Sequence, residues 1–593
     1  MCCRPIDPAR PQHNRVVQRR PAAEATERCA LGAGAIQLPR LTMTEAHRRE
    51  FFKAITAATP ALAAGGWLRS LGYAQSSGGP AQVFLNSTRK RASMDPRLMG
   101  AFLEHLGRAI YGGVYEPDSS LADSNGFRSD VVREMQELRC PIMRYPGGNF
   151  VSGYDWLHGV GPKKDRPEVL ERAWNSIETN QFGTNEFIDW CKLIGTEPLL
   201  ATNLGTGTPE TSAALVEYCN VEKGTRWSDL RREHGYEQPH SVKTCCLGNE
   251  MDGWWQIGHM PAREYGRKAR GAARQIRSID PSTELIACGS SAPFMPTYLI
   301  WDRETLEECY PEVDGLSLHR YYGNTPDETG EDSARFLALN LDMDYQIKET
   351  IAVCDYVRGL LKSPKQLWLS FDEWNVWYRA RSGEHTNGQG KFAPPLLEEV
   401  YNLEDALLVG GMVNTLLRNA DRVRIGCLAQ IINVIAALVT NKDGVLRQTI
   451  YYPYAWGIQY AKGDVLDLLV RSETYSVERQ YNADYVNAPT SRPEETPYLD
   501  VSATFDSESG NCGILLLNRD LEKEREVELR FEDITPTRVV QAEMISGSDL
   551  KATNTFDDPN NVVGQRFDAP SPAAKMNVEL PARSYTALQV ATS

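Results

Sequence analysis

Gln366-Leu367-Trp368-Leu369-Ser370-Phe371 is a short apolar run that stops on two carboxylates, Asp372-Glu373. Its length and composition predict a buried strand, and the abrupt change to acid marks a strand end facing a polar cavity. The same texture recurs along the chain. Apolar runs at 141–145, 198–202, 243–247, 284–288, 315–318 and 424–429, with another just before Glu104, make eight. Helical periodicity fills the intervals, as at 130–138, 185–193, 262–279, 347–361 and 403–418. Eight alternating β and α units predict a parallel (β/α)8 barrel, an α/β fold of the TIM type, over residues 93–463.

The stops of the other runs agree with this. They read Glu104-His105, Gly147-Gly148-Asn149, Asn203, Asn249-Glu250, Ser290, His319-Arg320-Tyr321 and Gln430. In such barrels the C-terminal strand ends build the active site. Beyond residue 463 helical periodicity fades. Runs at 501–505, 513–517, 526–531, 538–544, 577–580 and 585–590 predict an antiparallel, jelly-roll-like β-sandwich over 464–593, with 82–92 adding a strand.

The 593 residues carry 64 Lys+Arg against 78 Asp+Glu, a net charge of −14. That balance argues against a nucleic-acid partner, which wants a basic face. No run approaches the ~18 apolar residues of a membrane span. The 13 cysteines include no CxxC pair and read as buried thiols.

Residues 1–78 stand apart from the fold. His47-Arg48-Arg49-Glu50-Phe51-Phe52-Lys53 precedes an Ala-rich stretch, and Gly72-Tyr73-Ala74 offers small residues at the positions a signal peptidase reads. This resembles a twin-arginine signal with Met43 as the natural start, so the expectation is export to the periplasm or beyond. Without a working leader the chain would stay cytoplasmic.

Two carboxylates carry the chemistry. Glu250 and Glu373 fall at the ends of expected strands four and seven, so both face one cavity. Paired carboxyls flanking a sugar bond are what glycoside hydrolysis needs: one protonates the leaving oxygen, the other attacks or activates water. Trp156, Trp254, Trp255, Trp374, Trp377 and Tyr321 lie near the expected mouth, where aromatic rings suit the C–H faces of sugars. Gly147-Gly148 lacks the lysine of a phosphate loop. His105, His259 and His319 lack metal-pair spacing and suit a polar role supporting the site better than metal binding, and neither a catalytic metal nor an organic cofactor is implied.

The stretch from Gly100 to Gly113 closely resembles the opening barrel motif of family 51 glycoside hydrolases, the α-L-arabinofuranosidases. So do Arg144 to Phe150, Leu247 to Gly253, Ser317 to Asn324, Ser370 to Tyr378 and Cys427 to Gln430, in the same order. The resemblance implies that Glu250 is the general acid/base and Glu373 the nucleophile of a retaining double displacement. It makes Asn249 a contact of the sugar 2-hydroxyl, with Glu104, Asn149 and Gln430 binding other furanose oxygens. Tyr321 and Arg144 would hold the nucleophile. It further implies an exo-acting enzyme that removes terminal arabinofuranosyl residues from arabinan, arabinoxylan and arabino-oligosaccharides. Members are mostly homo-oligomers, often hexamers. A β-xylosidase or endo-β-glucanase on the same barrel, and a carbohydrate-binding protein without catalysis, are the competing readings.

Overall fold

The computed structural model describes residues 73–75, 78–480 and 491–593. Eight parallel strands close a barrel in sequence order: β1 (Gly100–Phe102), β2 (Ile142–Tyr145), β3 (Glu197–Thr202), β4 (Thr244–Leu247), β5 (Glu284–Ala287), β6 (Gly315–Tyr322), β7 (Trp368–Val376) and β8 (Val423–Leu428). Cys427 of β8 pairs with Gly100 of β1 and completes the ring. The expected (β/α)8 barrel and sandwich are therefore the architecture of the chain.

Strand period 2 sends alternate side chains inward. Ile142, Leu199, Cys246, Ile286, Trp368 and Ile425 fill the barrel centre. Arg144, two residues after Ile142, and Asp372, four after Trp368, continue those inward rows toward the C-terminal face. β7 is buried at all nine positions, as a barrel strand covered on both faces must be. It also runs past the expected stop at Phe371, because β6 supports it as far as Tyr322 opposite Val376.

Around the barrel, helix α1 (Ala262–Ile279) buries Tyr265, Ala269, Ala272, Ala273 and Ile276, one helical face at 3.6 spacing. Helix α2 (Asn340–Leu360) begins seven residues before the expected 347. Its first turns are polar and do not look helical in isolation. Asn340 is satisfied instead by distant groups, donating to Gly411 O at 3.0 Å and Asp500 Oδ2 at 3.1 Å. Helix α3 (Leu403–Arg418) starts on a reciprocal Asn402–Asp405 cap and is buried throughout.

Seven strands form one sandwich sheet and five the other. Most pairs are antiparallel, but Ala81–Leu85 joins Arg525–Phe531 in parallel, and so does Tyr73–Gln75 with Leu469–Ser472. Buried Asp500 accepts from Arg418 Nη1 at 2.6 Å and Arg519 Nη2 at 2.6 Å, which ties the sandwich to α3. The ten cysteines among the described residues are free and buried. Among those residues no helix is long and apolar enough to cross a membrane.

Candidate active site

Alternation alone would send Asp372 and Glu373 to opposite faces of β7. A register shift prevents this: Ser317 pairs with Ser370, but His319 pairs with Glu373, so β7 spends one extra residue there. Such a bulge re-aims side chains, and here it brings both carboxylates toward the barrel axis. Glu250 reaches the same space from the loop after β4, with its own φ at +43° and Gly248 at +96°. Left-handed backbone at a bulky residue costs free energy and persists where surrounding contacts enforce it.

Those contacts are named donors. Glu373 accepts from Arg144 Nη1 at 2.7 Å and from the Tyr321 hydroxyl at 2.9 Å. Glu250 accepts from Trp255 Nε1 at 2.6 Å, and its other oxygen lies 2.9 Å from His319 Nδ1. The second ring nitrogen of His319 lies 3.1 Å from Asp372, and Asp372 is also paired with Arg144 Nε at 3.3 Å. One oxygen each of Glu250 and Glu373 and a nitrogen of His319 fall within 4.8 Å of one another. Such a trio could in principle chelate a cation. Arg144, Tyr321 and Trp255 point N–H and O–H groups at its carboxylates, which suits hydrogen bonding better than metal ligation.

The electrostatics follow from burial and neighbours. Burial works against a charged His319, but Glu373, Asp372 and Glu250 outweigh it and carry the imidazolium up to about 10. Burial raises Glu373 above the ordinary carboxylate value, His319 and Arg144 pull it back, and Glu250 pushes it up. Asp372 stays below the ordinary value despite burial, because Arg144 and His319 favour its charge. Glu104 is pushed up to about 7 by burial, against the Phe150 amide and Trp174 indole that hydrogen-bond it.

All eight residues singled out from the sequence come together. Glu104 accepts from Phe150 N at 2.9 Å, Trp174 Nε1 at 3.0 Å and Gln430 Nε2 at 3.1 Å. Asn149 accepts from Gln256. Asn249 is 1% exposed, accepts from Arg144 Nη2 at 2.7 Å, and leaves its Nδ2 without a partner. Gly148 explains how these groups pack so closely. A Cβ there would lie 3.0 Å from Glu373 Oε1, 3.4 Å from Asn249 Nδ2 and 3.4 Å from Glu104 Oε2.

A cavity of about 940 Å³ opens from this centre, lined in part by Glu104, Asn149, Glu250, Tyr321, Glu373 and Gln430. Of the six aromatic residues expected at the mouth, Tyr321, Trp254, Trp255 and Trp377 line it. Two do not. Trp374 is fully buried and packs edge-on against Tyr454. Trp156 lines a separate cavity of about 290 Å³ and donates to Thr211 O. The sequence reading also missed Trp174, which a short hairpin (Val169–Glu171 with Ser176–Glu178) carries into the cavity. No strand end or motif marks it. His319, expected to play a polar supporting role and not to bind metal, lies against Glu250, Asp372 and Glu373.

Residues 134–327 match the Alpha-L-arabinofuranosidase 1 domain, and 372–584 the Alpha-L-arabinofuranosidase C-terminal domain. A Bacillus subtilis protein named intracellular exo-α-(1→5)-L-arabinofuranosidase 1 is 44% identical over 81% of this chain and 93% of its own. A Halalkalibacterium halodurans protein named intracellular exo-α-(1→5)-L-arabinofuranosidase is 44% identical over 80% and 92%. The solved family 51 α-L-arabinofuranosidase of Bifidobacterium longum superposes with TM-score 0.80 at 35% identity, covering 87% of this chain and all of that one. The chain belongs to family 51, the α-L-arabinofuranosidases. As a member of this family the enzyme is a glycoside hydrolase.

The expected export does not stand. Relatives matching four-fifths of the chain are named intracellular, which overturns both the twin-arginine signal and the periplasmic or extracellular location. The paired arginines themselves lie outside the described residues. Tyr73, placed beside the supposed cleavage site, is a buried sandwich residue whose hydroxyl accepts from Val501 N at 3.1 Å. Cleavage after Ala74 would remove it from the core it helps to fill.

Proposed function

We propose that the enzyme is an exo-acting, retaining α-L-arabinofuranosidase that releases terminal residues from arabino-oligosaccharides, arabinan and arabinoxylan by double displacement. The observation that carries this is the placing of Glu250 and Glu373 carboxylate oxygens within 4.8 Å. Retaining glycosidases hold their carboxyls about 5–5.5 Å apart, too close for a water to be activated between one of them and the sugar.

In the first step a Glu373 oxygen bonds to the anomeric carbon. The bond to the leaving oxygen breaks as Glu250 gives that oxygen its proton. In the second step Glu250 takes a proton from water, whose oxygen displaces the Glu373 ester and returns the carboxylate. Arg144 and Tyr321 donate to Glu373 and keep an oxygen lone pair aimed at the carbon. The charge balance suits these roles. Arg144 and a charged His319 lie beside Asp372 and Glu373 and favour the ionised nucleophile.

Glu104, Asn149, Asn249 and Gln430 bind the furanose hydroxyls in this reading. The unpartnered Nδ2 of Asn249 faces the space that Gly148 leaves open, where a hydroxyl would supply the missing acceptor. The α-(1→5) linkage named for the Bacillus and Halalkalibacterium relatives is the linkage we assign. Proton NMR of hydrolysis in its first minutes tests the mechanism. The α-anomer of arabinofuranose should appear first, and a β-anomer appearing first would replace double displacement with direct attack by water.

A further inference from the structure

Trp254 and Phe294 are large apolar side chains left in solvent, 64% and 55% exposed. They sit in the loops after β4 and β5, with ring centroids 6.4 Å apart and planes at 61°. Trp255 joins them, 4.7 Å from Trp254 and 6.4 Å from Phe294. Exposed aromatic rings grouped at a cavity rim are a binding surface more often than a packing accident. All three line the cavity that contains Glu250 and Glu373.

Their position relative to Glu250 says what they would meet. Trp255 donates to Glu250 at 2.6 Å, so the cluster is anchored to the acid/base side of the centre. In the proposed reaction Glu250 protonates the leaving oxygen, whereas Glu373 attacks from the opposite face of the sugar. Whatever hangs on the leaving oxygen therefore extends toward Trp254 and Phe294. There is room for it. The cavity of about 940 Å³ is near the top of the range of roughly 300–1,000 Å³ that encloses drug-sized ligands, well beyond one pentose.

Resting on the function proposed above, we infer that Trp254 and Phe294 form the platform for the neutral sugar on the leaving side of the scissile bond. The C–H face of a pentose is apolar and matches the exposed ring faces, while its hydroxyls stay in water. Binding energy collected there, away from the reacting atoms, lowers the barrier for oligosaccharides and is lost to substrates with no sugar at that position. Trp254 and Phe294 are thus specificity-determining residues, distinct from the groups that hold the furanose.

The test compares Trp254→Ala, Phe294→Ala and the double variant with the parent enzyme. Substrates are α-(1→5)-arabinobiose and arabinotriose, against methyl α-L-arabinofuranoside, which carries no leaving-side sugar. Inhibition by arabinose reports whether the furanose pocket is intact. Each single variant should lose about 5- to 10-fold in kcat/KM on the oligosaccharides, and the double variant about 30-fold or more. Methyl arabinofuranoside turnover and the arabinose inhibition constant should stay within about 2-fold, and Trp254→Phe should recover most of the single-site loss. Equal losses on both substrate classes, or unchanged oligosaccharide rates in the double variant, would overturn the platform while leaving the proposed activity intact. A parent that hydrolyses none of these arabinofuranosides would overturn the activity, and the platform with it.

Discussion

A Cβ built on Gly148 would stand 3.0 Å from Oε1 of Glu373, closer than carbon and a carboxylate oxygen ordinarily pack. The carboxylate cannot swing away, because Arg144 and Tyr321 hold its two oxygens. Gly148 is therefore a catalytic-site residue by virtue of having no side chain. Gly148→Ala should cut kcat/KM on any arabinofuranoside by about 100-fold, the scale expected when a nucleophile is displaced by a fraction of an ångström to one ångström. Steady-state kinetics and a circular dichroism spectrum matching the parent's would establish it.

The two glutamates should fail differently. Glu373→Ala removes ester formation and should cost at least ~10⁴-fold on every substrate. Glu250→Ala should slow arabino-oligosaccharides by a similar factor. Dinitrophenyl arabinofuranoside, whose leaving group needs no proton, should be affected far less in its first step. Pre-steady-state bursts on the aryl substrate read this directly, and equal losses on both substrates would reverse the roles given to the pair.

His319 should link stability to alkaline pH. In the fold it keeps its proton up to about 10, whereas an unperturbed imidazole releases it near 6.5. A raised folded pKa stabilises fully below the unfolded value and is lost as pH climbs through the folded one. Melting temperatures of the parent and of His319→Gln should thus differ most at pH 6 and converge toward pH 10. A gap that stays constant over that range would mean the imidazolium contributes nothing.

Asp500 should matter to stability and not to turnover. Its carboxyl is held below the ordinary range, burial opposing and Arg418 and Arg519 prevailing. Asp500→Ala leaves two guanidinium groups buried without their partner, a loss of about 3–5 kcal/mol. Urea unfolding should register it, with kcat of the folded fraction unchanged.

Tyr73 offers a second stability test, at the sandwich. Its ring is 5% exposed and its hydroxyl accepts the Val501 amide. Tyr73→Ala should cost about 3 kcal/mol by the usual penalty for emptying an aromatic site. A chain beginning after residue 75 should show a similar fall in denaturant midpoint relative to one beginning before Tyr73.

Local pattern carried the barrel far. Each of the eight runs became a strand, since burial on both faces writes a continuous apolar segment and the cavity writes a polar stop after it. Where the pattern failed, the cause was distant. The first turns of α2 hide behind polar Asn340, which Gly411 and Asp500 satisfy. Thr474–Gln480 and Ser491–Pro497 pair as a hairpin that brings Val477 and Thr496 to the cavity, though neither strand shows the alternation of the sandwich. Tyr73 looked like part of a leader because three residues of strand carry too little pattern to read.

The sequence by itself determined which residues would meet. Strand ends in a closed barrel converge on one face, so Glu104, Asn149, Asn249, Glu250, Tyr321, Glu373 and Gln430 had to surround a common space, while Arg144 was singled out by the family resemblance alone. Only the tertiary structure decided how they meet. The extra residue in β7 that turns Glu373 inward depends on pairing with β6, and the bridge from His319 to Glu250 and Asp372 joins three separate strand ends. The gap at Gly148 exists because three other segments press against it. Periodicity and composition describe a residue's environment along the chain, whereas hydrogen-bond partners, bulges and close approaches are set between segments that share no local sequence.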